Sequence, residues 1–132
     1  MDNSRICIAA HDELYVLDLN KVVYFQADDH YTHVYYYADK PFMVPFGLSR
    51  IQAAILDAGE PANYVVRLGR KHIVNTRRIF RISTIKETLY LNDDAGSRIS
   101  IHVPKAALRP LITLMRPRTS TTDGTTKSCI RC

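Results

Sequence analysis

The longest apolar runs in this chain are strand-sized, far short of the roughly 18 residues of a membrane-spanning helix, and most of them read as β-strands. Leu14–Leu17 and Val22–Ala27 are rich in β-branched and aromatic residues, with the turn Asp18-Leu19-Asn20-Lys21 between them. Asp28-Asp29-His30 is turn chemistry before another strand, Tyr31–Tyr37, and Ala38–Pro41 turns the chain into Phe42–Phe46. Pro45 cannot donate to a ladder, which puts the end of that strand at an edge or a bulge.

The period changes twice. Leu48, Ile51, Ile55 and Leu56 recur at helical spacing and Gly59-Glu60-Pro61 stops them, so an amphipathic helix is expected at about 48–58. Strand patterns resume at Tyr64–Leu68, Ile73–Asn75, Ile79–Ser83 and Thr88–Leu91. Asn92–Gly96 is a hairpin signal before Arg98–His102. Pro104 opens a second helix at about 104–115, with Leu108, Leu111, Ile112 and Met115 on one face. Pro110 should leave it short, kinked or split. The expected fold is mainly β, an elongated set of small antiparallel sheets with two short helices. Residues 1–13 read as an N-terminal extension, 14–115 as the domain and 116–132, poor in apolar residues, as a disordered basic tail.

At 132 residues and 46% hydrophobic, the chain can bury one core without a staple. It has neither a membrane-length apolar stretch nor a signal-peptide pattern at its start, so a cytoplasmic location is expected. Cys7 stands apart, and Cys129 and Cys132 read as solvated thiols in the tail, because zinc would need two further ligands.

Charge is the first pointer to function. Residues 1–66 carry four Lys/Arg against nine Asp/Glu, whereas residues 67–132 carry fourteen against four. Between Arg67 and Arg81 stand Arg67, Arg70, Lys71, Arg77, Arg78 and Arg81 without an acid, a field that attracts polyanions. The chemistry of catalysis is missing. There is no P-loop, G-x-S-x-G, H-E-x-x-H or G-x-G-x-x-G, and His11, His30, His33, His72 and His102 show no ligand spacing. Asp28-Asp29 reads as a solvated turn. The expectation is a binding protein, not an enzyme, with no cofactor and no metal.

The run Tyr64-Val65-Val66-Arg67-Leu68-Gly69-Arg70-Lys71-His72-Ile73-Val74-Asn75 resembles the central pattern of the LytTR-type DNA-binding domain, the output domain of many bacterial response regulators. The order of elements agrees from about Leu14 to Met115. The resemblance implies a bacterial transcriptional regulator that docks on double-stranded DNA through loops. Its three contact regions fall on Thr32 and His33, on Arg70 with Lys71, and on His102 ahead of the closing helix. Arg77, Arg78 and Lys105 are expected to add phosphate contacts. Arg70 has the planar fork that reads guanine, and Asn75 is expected to fix a turn through backbone bonds. Gly69 and His102 depart from the His and Arg usual at their positions in the family.

About a dozen residues precede the first expected strand, too few for a receiver domain, so control is expected from abundance, a partner protein or the tail. Binding as a homodimer or as paired copies on a direct repeat would fit such a domain. Two other readings use the same residues. The basic face suits an acidic protein partner. Single-stranded nucleic acid could stack on Tyr31, Tyr35, Tyr36 and Tyr37, although alternation sends Tyr36 to the face opposite Tyr35 and Tyr37.

Overall fold

A computed structural model describes residues 5–36, 40–92 and 98–116. The tail beyond Arg116 with Cys129 and Cys132, Tyr37 and the Asp93–Gly96 turn lie outside the described residues.

Among the described residues, ten strands form three antiparallel sheets. The first is a hairpin of β1 (Arg5–Ala10) and β2 (Glu13–Asp18). Its two-residue loop, His11-Asp12, has positive φ at both positions, as a type I′ turn requires. The extension expected over residues 1–13 thus contains a strand. Ile6 and Ile8 alternate with exposed Arg5 and Cys7 and are buried, so the segment is a half-buried strand whose short alternation was easy to overlook.

The central sheet holds β3 (Val22–Asp28), β4 (Tyr31–Tyr36), β5 (Phe42–Val44), β6 (Val65–Leu68) and β7 (His72–Asn75) in the order β5-β4-β3-β7-β6. β5, just before Pro45, is indeed an edge strand. The third sheet is β8 (Ile79–Ser83), β9 (Thr88–Asn92) and β10 (Arg98–His102). The helices are α1 (Leu48–Ala58) and α2 (Lys105–Met115).

Both faces of the central sheet are covered. Phe25, Val34 and Ile73 join Ile51 and Ile55 of α1 and Ile6 and Leu17 of the hairpin in one core. Tyr24, Leu68 and Val74 join Leu89 and Leu91 of the third sheet and Leu108 and Leu111 of α2 in another. Strand alternation sends Phe25 one way and Tyr24 the other, and a bulge between Val22 and Tyr24 turns Val23 toward the second core as well.

One detail of the helices differs from expectation, and one open alternative is decided: of short, kinked or split, α2 is short. Leu56 is 72% exposed, because it lies about 100° round the helix from Ile55, outside the stripe Leu48-Ile51-Ile55 that meets the sheet. α2 runs unbroken through Pro110. The bond that Pro110 cannot make would end on the carbonyl of Ala106, an exposed residue that water can satisfy. Glu87 closes the other end of this helix: its Oε2 accepts the Lys105 amide at 2.9 Å.

Asn75 joins the layers and is 1% exposed. Its Nδ2 donates to the Leu19 carbonyl (3.3 Å) and the Val22 carbonyl (2.9 Å), and its Oδ1 accepts the Arg77 amide (2.9 Å). The expected backbone-fixing role is what the structure shows. Asn75→Ala would remove three side-chain-to-backbone bonds at a buried position, although the Leu19 carbonyl keeps the Val22 amide, and we expect a loss of about 1–3 kcal/mol of stability in urea unfolding. A loss below about 0.5 kcal/mol would contradict the role given to this side chain.

Candidate nucleic-acid interface

The basic run of the sequence does not fold into one patch. Its central residues form β7, whose four positions span roughly 10 Å. Arg70 and Lys71 therefore stand at one end of the sheet, and Arg77 and Arg78 at the other. Arg77 lies over the Tyr64 ring with its guanidinium carbon 3.9 Å from the centroid. Arg78 donates from Nη2 to the Asn20 carbonyl at 2.9 Å. Arg81 sits over Tyr90 of the third sheet at 4.6 Å.

The turn between β6 and β7 is held by its backbone. Gly69 has φ +64°, a conformation that L side chains rarely adopt, and a Cβ there would meet Ala107 of α2 at 3.9 Å. Arg67 reaches over the turn. Its Nε donates to the Gly69 carbonyl (3.0 Å), Nη2 to the Arg70 carbonyl (3.4 Å) and Nη1 to Gln52 Oε1 of α1 (3.0 Å). The Lys71 carbonyl accepts the Ala27 amide at 2.8 Å. All three turn carbonyls are thus engaged. Meanwhile the side chains of Arg70 and Lys71 are exposed and bond to none of the described residues. Arg67, counted in the sequence as part of the positive field, is the clamp of this turn; its strand position beside a three-residue loop was the available signal.

His102, exposed at the end of β10, lines the same groove as Arg70, Lys71 and His72, between this turn and α2. Lys105 follows on the first turn of α2 and is exposed. His72 itself is buried, its ring 6.0 Å from that of Tyr24, which stacks on Tyr35 at 4.2 Å. Burial, then the charge of Lys71 and the proximity of His102, hold the His72 imidazole below its ordinary pKa.

The contact region expected at Thr32 and His33 divides. Thr32 is fully buried and donates from Oγ1 to the Phe46 carbonyl at 2.8 Å, so it faces the core and is corrected from a contact to a packing residue. Strand alternation leaves His33 on the opposite face, half-buried, with Nε2 2.8 Å from Asp28 Oδ2. Of the tyrosines offered for stacking, Tyr35 packs on Tyr24 and the Tyr36 hydroxyl accepts the Asp18 amide, whereas Tyr31 is exposed.

The family model for the LytTr DNA-binding domain matches residues 12–115. The chain belongs to the LytTr DNA-binding domain family. A solved LytTr DNA-binding domain from Bacillus cereus is similar in fold, with a TM-score of 0.58 and 22% identity over 86% of this chain and 98% of that one. No curated protein matches the sequence. DNA binding is the property that defines this domain family, which is not a family of enzymes. No helix among the described residues is long and apolar enough to cross a membrane.

The LytTr domain should also report on His72. An unfolded chain titrates this residue near 6.5, whereas the folded one resists protonation. The unfolded state then binds more protons, so stability falls as pH drops below about 6.5. His72→Gln should flatten the dependence of the urea midpoint on pH between about 7.5 and 5. Equal slopes in the two proteins would show that the His72 environment contributes nothing.

Proposed function

We propose that this LytTr domain is a transcriptional regulator that binds specific duplex sites through loops at the Arg70 end of its central sheet. The observation that carries this is the clamped turn: its carbonyls are tied down while Arg70 and Lys71 project without a partner among the described residues. A rigid turn with free cationic ends loses little conformational entropy on contact with DNA. Arg70 would read a guanine edge, Lys71 and Lys105 would meet phosphates, and His102 would add a hydrogen bond. His33, oriented by Asp28, would serve a second region across the sheet. Two copies on a direct repeat would extend the footprint. Thr32 has no part in this set, and Arg77 and Arg78 serve chiefly to hold the far end of the domain.

Selection from random duplexes would give the site, and the selected and a scrambled duplex would then be titrated at rising salt. The log–log slope should be steeper than about −3. Arg70→Ala should lower the ratio of selected to scrambled affinity at least about fivefold, since a bidentate base contact is worth about 1–3 kcal/mol. Arg77→Ala should leave that ratio unchanged while lowering stability by about 1 kcal/mol through the lost stacking on Tyr64. If Arg77→Ala removes the preference and Arg70→Ala does not, the reading end of the domain has been misassigned.

A further inference from the structure

The groove between the Gly69–Lys71 turn and α2 has a volume of about 960 Å³. That is the upper part of the range, roughly 300–1,000 Å³, in which small organic ligands are held. Its walls are apolar: Leu68 from β6 and Ala107, Leu111 and Leu114 from α2. Leu114 is 62% exposed, a large apolar side chain left facing the opening. The polar members are almost all basic, Arg70, Lys71 and His102 standing together, and no Asp or Glu among the described residues lines the groove. None of these three side chains pairs with another described residue. An apolar trough with uncompensated positive charge on its rim calls for a ligand of the opposite construction, with one anionic head and an apolar body.

We propose that this groove binds a small amphipathic carboxylate, its head on Arg70 and Lys71 and its body along α2, and that its occupancy blocks duplex binding. Arg70 and Lys71 can offer their N–H groups to the carboxylate or to DNA, not to both. α2 supplies about 15 Å of groove length from Pro104 to Leu114, enough for a medium-length chain or a pair of rings. The binding half of the proposal stands alone; the blocking half rests on the function proposed above.

The probes are octanoate, octanol and acetate, titrated into the full chain and followed by calorimetry. Octanoate should bind at one site, with acetate, which lacks the body, at least about tenfold weaker. Octanol, which lacks the charge, should also be weaker, by at least about fivefold. Arg70→Ala with Lys71→Ala, and separately Leu114→Glu, should each weaken octanoate at least about fivefold while leaving the melting temperature unchanged, because all three positions are exposed. Octanoate binding no better than octanol or acetate, or unaffected by either variant, overturns the site. Saturating octanoate should then weaken binding of the selected duplex at constant ionic strength, with sodium acetate as the control. Octanoate that binds without this effect overturns the blocking half. A duplex that fails to bind even without octanoate counts against the DNA reading, and the titrations still decide the site.

Discussion

Four consecutive residues, His72–Asn75, hold the two halves of this domain together. Ile73 belongs to the core beneath α1 and the hairpin, and Val74 to the core shared with α2 and the third sheet. Strand alternation makes this division automatic: one strand buried on both faces must send successive side chains into different cores. His72 closes the strand at the end where the cationic turn begins, and Asn75 closes it at the other by gathering three backbone groups. The placement of Arg70 and Lys71 therefore inherits its rigidity from the middle of the protein. On the function proposed above, loops would carry the chemistry, and a doubly buried strand would aim them.

That rigidity comes at modest cost, because the turn is satisfied locally. A three-residue connection between β6 and β7 leaves carbonyls that a strand would have paired. Arg67 takes two of them with a single guanidinium and donates from Nη1 to Gln52 of α1, so the turn, the sheet and the helix share one side chain. Lys in its place would offer a compact charge without the fork and could not bridge three acceptors in the same plane. Positive charge in a basic run is thus of two kinds, one consumed in building the turn and the other displayed by it.

Most strands, both helices and the order of elements were legible in the sequence because period and turn chemistry are local properties. Asp28–His30 and the halt at Gly59 announce themselves without any tertiary context. β1 was not legible: Ala9, Ala10 and Cys7 give a weak strand signal, and only pairing with β2 makes Ile6 and Ile8 a buried face. The site was legible in part. Arg70 stood out as an arginine in a turn, and it remains exposed and unpaired. Thr32 did not reveal its burial, since a threonine in a strand faces inward or outward according to a register that composition leaves open. Arg77 and Arg78 seemed to continue one positive patch because distance along the chain hides the length of β7 that separates them.

That separation bears on how such a domain can discriminate among anions. A uniform basic face would attract any polyanion about equally, by charge density alone. In this chain the cations at the Asn75 end lie over Tyr64 or donate to Asn20, whereas those at the His72 end border an apolar trough. The two ends therefore differ in kind as well as in position. At the far end a phosphate would have to compete with contacts already made within the domain. At the near end the exposed cations have no partner among the described residues to give up, but the leucines beside them remain unfilled by a polar backbone such as DNA. An anion that also covers those leucines gains from both features of the groove. The same charges thus suit a duplex by position and an amphipathic anion by surroundings, so that on the two proposals above recognition and its control would meet at one turn.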